Sequence, residues 1–265
     1  VDRLDPAGLH ALTAEGISVH DGLVVMEGAK EIKSADEIDA MRASIAACEA
    51  GMDAMREALR PGITEQELWS HLHQKNIALG GEWIETRLLS SGPRTNPWYQ
   101  ECGDRVIEDR DIVSFDTDLI GPYGYCADIS RSWVCGEGRP SDDQRRLYAL
   151  AHDQIQRCIE VAKPGVMYRE LADAIGTLPD IYQPRRYTCI AHGVGLCDEY
   201  PTLYWKEDFD LHGWDDHLKP DMTICVEAYF GAVGGSNGVK LEQQVLITED
   251  GAEELSTYPF EEDWL

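Results

Sequence analysis

Six side chains of the types that bind metal ions lie inside apolar or glycine-rich stretches of this sequence. They are Asp116, Asp118, Asp128, His192, Glu227 and Glu242. Burying an unpaired carboxylate costs several kcal/mol or more, so a positive partner is expected to hold the acids. Five carboxylates and one imidazole supply hard oxygen ligands with one borderline nitrogen, a set that suits two divalent metal ions sharing bridging carboxylates. The sequence therefore predicts a dinuclear metal site.

The three aspartates are expected on one β-hairpin. Asp116 and Asp118 are two residues apart, so on a strand they share a face. Pro122 and Gly124 are typical of a turn, and Asp128 follows on the returning strand. A single aspartate near a turn is more often exposed to solvent. Three acids that converge on one face of a hairpin favour metal binding instead.

The other three residues come from separate segments, and each has an ordinary structural explanation as well. Glu227 lies in "TICVEAYF" and Glu242 in "GVKLEQQVLI", where a lone glutamate often pairs with arginine or lysine. His192 lies in "AHGVGLCDEYP", and a lone histidine in such a segment is usually a hydrogen-bonded core residue. Together with the three aspartates, these residues are better explained as metal ligands.

Two similar helical hairpins are expected to position the strands that carry these residues. Apolar positions at alternating spacings of three and four predict a helix over residues 34–59, with Ser34 and Glu37 as a capping box. Helices also begin at Thr64 and Ser141. "EALRPGITEQELWSHL" aligns with "EVAKPGVMYRELADAI" further along the chain, which predicts two similar halves facing each other with a site between them. Chance similarity of two helical hairpins is the alternative, because Pro-Gly helix ends are common.

Strands separated by helical hairpins predict an α+β fold in which helices back a curved antiparallel sheet. Residues 31–265 are expected to form one catalytic domain. Residues 1–30 are expected to be a short helix and a strand, as the remnant of an N-terminal domain and its connector. The predicted strands are residues 83–90, 111–119, 125–135, 222–230 and 239–247.

Charge and composition restrict the partners. The 265 residues carry a net charge of −26, so nucleic acid and anionic membranes are poor partners, whereas a cationic or zwitterionic small molecule is compatible. No apolar run approaches the ~20 residues that a membrane helix needs. The eight cysteines include no CxxC pair, which favours reduced thiols and a cytoplasmic location.

The order of these residues resembles the pita-bread metalloenzyme superfamily, which includes methionine aminopeptidase, prolidase, aminopeptidase P and creatinase. Its ligands come in the order Asp, Asp, His, Glu, Glu. The segments "KSADEIDAMR" and "LRPGITEQEL" also match, and the resemblance covers about residues 30–260. The residues of this chain that correspond to the five ligands are Asp116, Asp128, His192, Glu227 and Glu242.

The chain departs from the peptidases of that superfamily at three places. Asp-Thr-Asp replaces the usual Asp-X-Gly, which leaves Asp118 free to act as a sixth ligand. The peptidases also carry two histidines that act on the scissile peptide, and this chain has Trp98 and Glu199 in their places. Because the chain keeps the metal ligands but lacks both histidines, we do not expect it to act as a peptidase.

Three segments resemble the DddP-type dimethylsulfoniopropionate lyases more closely: "GGEWIETRLLSSGPRTNPWYQECG", "SFDTDLIGPYGYCADISRSW" and "HGVGLCDEYP". The resemblance implies a homodimer with two metal ions, iron first, although the ligand set also accepts Mn, Zn or Co. It implies a zwitterionic substrate that is cleaved to dimethyl sulfide and acrylate. Asp198 is then the base, Tyr187 positions the substrate or assists at the sulfonium, and Trp98 lines the pocket.

Two other functions stay open at this point. The first is a metallohydrolase of the same fold, acting on a proline-containing dipeptide or, like creatinase, on another small C–N substrate. The second is a non-catalytic binding module, which is disfavoured because the chain keeps every metal ligand.

Overall fold

The computed structural model describes residues 3–265, and it has the α+β architecture that the sequence predicts. The helices are α1 (Pro6–Ala14), α2 (Leu23–Lys30), α3 (Ala35–Ala58), α4 (Glu65–Ala78), α5 (Asp142–Val161), α6 (Tyr168–Ile175) and α7 (Phe209–His212). The strands are β1 (Trp83–Ile84), β2 (Leu89–Ser91), β3 (Ile112–Asp116), β4 (Leu119–Ile120), β5 (Cys126–Ala127), β6 (Ser130–Val134), β7 (Cys189–Val194), β8 (Asp198–Tyr204), β9 (Thr223–Gly231), β10 (Gly238–Ile247) and β11 (Ala252–Glu254).

All strand pairs are antiparallel, and the strands form three sheets. The largest has the order β11-β10-β9-β7-β8, and the two smaller ones are β2-β3-β6 and β1-β4-β5. Helix α5 packs on β9 and β10, whereas α3 packs on β4 and β5. Strand β10 also contacts β3 and β6, so the sheets adjoin at the middle of the molecule.

The two predicted helical hairpins are present and are built alike. Helices α3 and α5 each begin with a capping box and end before a Pro-Gly pair. Gly62 and Gly165 both have a positive φ, 98° and 86°, which a residue without a Cβ adopts at little cost. In each copy the backbone after the turn then forms an antiparallel bridge, Thr64 with Val106 and Met167 with His217. This correspondence supports two structurally similar halves.

Each half holds most of one large apolar cluster, and a third, smaller cluster contains residues of both halves. The first half packs Trp69, Phe115 and Trp133 with residues of α3 and α4. The second packs Tyr148 and Trp205 with residues of α5, α6 and the large sheet. Strands β3 and β6 of the first half contact β10 of the second, so strands of both halves line the region where the halves meet.

The predicted hairpin over residues 111–135 differs from expectation in one respect that matters. Neither strand is continuous: β3 ends at Asp116 and β4 belongs to another sheet, while residues 128–129 separate β5 from β6. Asp118 has a φ of 35°, which is not a strand conformation. The hydroxyl of Thr117 bridges the break, because it donates to the carbonyl of Ala127 and accepts from the amide of Ile129. Strand periodicity was therefore the wrong reason for grouping Asp116 with Asp118.

The prediction of a strand before residue 30 is wrong, because residues 23–30 form helix α2. Asp21 accepts a hydrogen bond from the amide of Leu23 at its start, and Lys30 lies in its last turn. Val24 and Val25 are β-branched residues of the kind enriched in strands, but here both are exposed on a helix. Assignment of residues 1–30 to an N-terminal domain stays a prediction, and residues 1 and 2 lie outside the described part. No helix within residues 3–265 is long and apolar enough to span a membrane.

Candidate metal centre

The six residues that the sequence singles out meet between the two halves, and we call them the ligand cluster. Each is buried, with at most 8% of its surface exposed. The members fall into overlapping groups in which one donor atom of each residue lies within 4.8 Å of the others. The first half supplies Asp116 at the end of β3, Asp118 after it and Asp128 between β5 and β6; the second half supplies His192 on β7, Glu227 on β9 and Glu242 on β10.

The imidazole of His192 presents one nitrogen to the cluster. Its Nδ1 lies 2.9 Å from the carbonyl oxygen of Gly193, and a carbonyl only accepts, so Nδ1 carries the proton. Its Nε2 lies 3.3 Å from Glu242 Oε1 and 3.7 Å from both Asp128 Oδ2 and Glu227 Oε1. A backbone carbonyl on the second nitrogen is the usual way in which a protein orients a histidine ligand.

One observation that does not depend on residue type indicates that these residues fit a pair of divalent metal ions. Glu227 Oε2 and Glu242 Oε1 are buried, and neither accepts a hydrogen bond from any residue of the described chain. Lys240 Nζ lies 2.9 Å from Glu227 Oε2, and His192 Nε2 lies 3.3 Å from Glu242 Oε1. Buried oxygens without hydrogen-bond donors are costly unless a cation completes them.

Lys240 is a buried member of this region that the sequence analysis missed. Its ammonium nitrogen lies 2.9 Å from both Glu227 Oε2 and Glu242 Oε2 and 3.1 Å from Asp116 Oδ2. The spacing rule applied to the aspartates would have found it, because Lys240 and Glu242 are two residues apart on β10. For a lone glutamate on a strand, pairing with lysine was the alternative to metal binding. In the structure, Glu227 and Glu242 pair with Lys240 and also belong to the ligand cluster.

Burial and mutual repulsion perturb the acids of the cluster. Burial raises the pKa of Asp116 and Asp128 well above the ordinary value, and the nearby Glu242 carboxylate raises both further. Burial is also the main cause that raises the pKa of Asp118 to about 7. Burial acts in the same direction on Glu242, but Lys240 and His192 outweigh it and lower its pKa. The metal-free cluster therefore holds protons that metal ions would displace.

A cavity of about 410 Å³ opens onto the cluster and is reached by both predicted catalytic residues. The Asp198 side chain is 53% exposed, and its Oδ1 lies 3.8 Å from His192 Nδ1. The Tyr187 ring stacks on Tyr99 with centroids 5.2 Å apart, and Lys240 Nζ lies 4.6 Å from its centroid. The sequence analysis missed Tyr99 and Cys189, which also line the cavity; the Cys189 thiol donates to Glu227 Oε1 at 3.0 Å.

The structure does not bring Trp98 to this cavity. Its side chain is buried, and its ring lies 5.9 Å from that of Tyr229. The neighbouring Tyr99 is 55% exposed and adopts a φ of 67°, which turns the backbone at this point. A substrate-binding role for Trp98 stays a prediction, and Tyr99 is the aromatic residue that this segment places in the cavity wall.

Glu199, at the second histidine position of the peptidases, also borders the cavity but has a structural partner. Its carboxylate lies 3.1 Å from Lys33 Nζ and 3.6 Å from Lys30 Nζ, and it accepts from the amide of Leu196. Through these contacts the Glu199 carboxylate links β8 to the C-terminal end of α2 and the residues that follow it. It presents no imidazole to a bound substrate.

Comparisons with known proteins agree with this geometry. Residues 39–249 match the model of metallopeptidase family M24. Among solved structures, prolidase from Pyrococcus furiosus superposes with a TM-score of 0.83 at 25% identity, covering 96% of this chain and 74% of the prolidase. The similarity therefore extends over nearly all of the chain, including the helical hairpins and the sheets that carry the ligand cluster.

Two curated relatives are more similar in sequence. Dimethylsulfoniopropionate lyase DddP of Roseovarius nubinhibens is 49% identical over 98% of this chain, and that of Roseobacter denitrificans is 47% identical over the same share. The chain spans 60% of the length of each relative. From the family match, the superposition and the assembled ligand cluster, this chain belongs to metallopeptidase family M24 and has the pita-bread fold.

Proposed function

We propose that this chain is the catalytic domain of a metal-dependent lyase that cleaves dimethylsulfoniopropionate to dimethyl sulfide and acrylate. The observation that carries the proposal is the cavity, which joins the ligand cluster to the exposed carboxylate of Asp198. Neither position of the peptidase histidines offers an imidazole, since they hold Trp98 and Glu199. The names of the two relatives that are 49% and 47% identical support the choice of substrate.

The ligand cluster would hold two divalent ions, and we propose iron. When bound, such ions act as Lewis acids that polarise the substrate carboxylate and make the neighbouring C–H more acidic. Five carboxylate residues and one imidazole provide the ligand atoms. Ser130 Oγ lies 2.8 Å from both Asp116 Oδ1 and Glu242 Oε2, so its single proton supports one of these carboxylates at a time. Mn, Zn or Co are accepted by the same donors.

Asp198 would act as the base in a β-elimination. It takes the proton from the carbon next to the substrate carboxylate, and the electron pair of that C–H bond becomes the second bond of acrylate. The C–S bond breaks with its pair going to sulfur, so the leaving group is neutral dimethyl sulfide. Because the Asp198 side chain is half exposed, it can pass the proton to solvent after each turnover.

The aromatic wall of the cavity would recognise the sulfonium. Tyr99, Tyr187 and Tyr200 line the cavity, and Tyr200 stacks on Trp214 with centroids 5.4 Å apart. A cation over an aromatic face gains about 0.5–2 kcal/mol, depending on how far it is desolvated. Tyr187 thus has a role in substrate positioning, which the resemblance also implies for it.

The test is release of dimethyl sulfide into the headspace, measured by gas chromatography with metal-loaded protein and dimethylsulfoniopropionate. We expect release from the wild type and from Asp250→Asn, a control in the exposed loop between β10 and β11. We expect loss of release from Asp198→Asn. No release from wild-type protein that holds two metal ions would contradict the proposal. The homodimer is part of the proposal, and light scattering coupled to size exclusion tests it.

A second function has one observation in its favour, the superposition on prolidase from Pyrococcus furiosus at 25% identity. In that case the chain would be a metallohydrolase of the Xaa-Pro dipeptidase or creatinase kind. A panel of proline dipeptides with the same metal-loaded protein separates the two functions. Hydrolysis without sulfide release would favour the hydrolase.

A further inference from the structure

Lys240 is a buried cation inside the ligand cluster that the proposed elimination does not use. We propose that Lys240 is a built-in counter-ion of the metal centre: it stabilises the metal-free carboxylates, competes with the metal ions for them, and sets the charge that the bound pair must balance. The inference rests on the metal site of the proposed function and not on the identity of the substrate.

The contacts of Lys240 favour this role over an ordinary salt bridge. Its ammonium group contacts three carboxylates from three strands, Asp116 on β3, Glu227 on β9 and Glu242 on β10. Its side chain has no exposed surface, and it donates to the hydroxyl of Ser130 at 2.9 Å. That hydroxyl lies 2.8 Å from two of the same carboxylates, Asp116 and Glu242, and donates its single proton to one of them. The ammonium group therefore occupies a point where several acids converge.

Strand geometry fixes Lys240 in this place. Strand β10 alternates its side chains between two faces, so Lys240 and Glu242 point to the same side. The Tyr187 ring, with its centroid 4.6 Å from the ammonium nitrogen, adds a further favourable contact for a cation. Complete burial leaves Lys240 no route to solvent without movement of its neighbours, so it stays beside the acids when metal ions bind.

The charges of the region support a role in balancing metal ions. With all acids ionised, the ligand cluster carries five negative charges, and Lys240 reduces this to four. Two divalent ions supply four positive charges, so the loaded centre with Lys240 is neutral.

Removal of this charge has two separable effects. Metal-free protein loses the cation that offsets repulsion among the acids, so its stability falls. Metal ions lose a positive competitor that lies 2.9–3.1 Å from three of their ligands, where a unit charge has a large effect on affinity. A purely structural lysine would produce the first effect only.

The test compares Lys240→Met with Lys33→Met, a control at another buried lysine whose partner is Glu199 rather than a ligand. Unfolding temperatures of metal-free and Mn²⁺-saturated protein are measured by calorimetry, and Mn²⁺ affinity by titration. For Lys240→Met we expect a lower metal-free unfolding temperature, a larger rise on Mn²⁺ binding, and affinity at least roughly tenfold tighter. For Lys33→Met we expect both temperatures to fall together, with unchanged affinity.

Equal or weaker Mn²⁺ affinity in Lys240→Met, with an unchanged rise in unfolding temperature, would overturn the proposal. A variant that folds only when Mn²⁺ is present would support it. If Lys240→Met does not fold at all, Lys240→Arg decides, because it keeps the charge. Wild-type Mn²⁺ affinity in Lys240→Arg supports the counter-ion role, and loss of Mn²⁺ binding contradicts it. None of these readouts uses lyase activity, so failure of the proposed reaction is recognised separately.

Discussion

Glu227 and Glu242 face each other directly across the antiparallel strands β9 and β10. Like charges in this relationship destabilise a sheet unless a cation lies between them. Here Lys240 Nζ lies 2.9 Å from one oxygen of each. The remaining oxygens of the pair point toward His192, whose Nε2 is within 3.7 Å of both residues. The pairing of β9 with β10 therefore brings together two of the six members of the ligand cluster.

Replacement of Glu242 by alanine is expected to remove at least one metal ion. Glu242 has donor atoms in two of the overlapping groups of the ligand cluster, so its loss removes a ligand from both groups. The unfolding temperature should also fall, because the remaining acids repel one another. Elemental analysis of purified protein measures the metal content. Glu253→Ala, on the exposed strand β11, serves as the control and should keep the wild-type content. Unchanged metal content in Glu242→Ala would remove this residue from the ligand set.

Stabilisation by metal should increase with pH. Between the unfolded value of 3.8 and about 7, Asp118 is protonated in the folded metal-free protein and ionised in the unfolded chain. The folded metal-free state therefore loses stability as pH rises through this range. Metal binding needs the ionised carboxylate, so the rise in unfolding temperature caused by Mn²⁺ should grow from about pH 5 to 7. Asp118→Asn should reduce this growth. A rise that is independent of pH in the wild type would contradict the prediction.

Asp198→Ala is expected to keep both metal ions and the fold while losing turnover. The side chain lies at the cavity and half in solvent, so its removal leaves no buried charge unpaired. Loss of a general base costs roughly 10²–10⁴-fold in rate. Sulfide release together with metal analysis on the same sample measures both properties. Turnover within a few-fold of the wild type would show that another group accepts the proton.

Tyr99→Ala is expected to weaken substrate binding more than it slows the chemical step. Its ring lines the cavity and stacks on Tyr187, so the change removes an aromatic face near the proposed sulfonium position. A contribution of about 0.5–2 kcal/mol corresponds to a rise in KM of roughly 2- to 30-fold. Tyr99→Phe keeps the ring and should behave like the wild type, as should Tyr123→Ala at an exposed tyrosine. Equal effects of Tyr99→Ala and Tyr99→Phe would assign the role to the hydroxyl, which contacts Thr188.

Much of the candidate site could be predicted because the residue types that bind metal ions can be recognised in the sequence. Acids inside apolar strands are rare for a physical reason, and the predicted positions of Asp116, Asp128 and Glu227 are together in the structure. The α+β fold and the repeated hairpins followed from helix periodicity and Pro-Gly ends, which are local signals. These features depend on short segments of the chain, so they could be predicted from a single sequence.

Other features depend on tertiary contacts. Strands β7 and β8 were not predicted, because "YTCIAHGVGLCDEYPTLY" combines glycines with a weak alternation and its pairing is irregular. Helix α2 has two adjacent valines, and its helical state depends on Asp21 and on contact with β8. Which of Trp98 and Tyr99 faces the cavity depends on a positive φ at Tyr99, which composition does not reveal.

The two large apolar clusters, each mainly within one half, have a consequence for cooperativity. Three members of the ligand cluster belong to the first half and three to the second, so bound ions would act as a crosslink between two packing units. Metal-loaded protein should then unfold in one transition, because neither half can open without breaking metal–ligand bonds. After chelation, the halves stay joined by Lys240, by a small apolar cluster with residues of both halves and by the buried hydrogen bonds of Arg131 to β10, so unfolding should become broader while staying a single transition. The metal pair would thus set how sharply the molecule responds to heat.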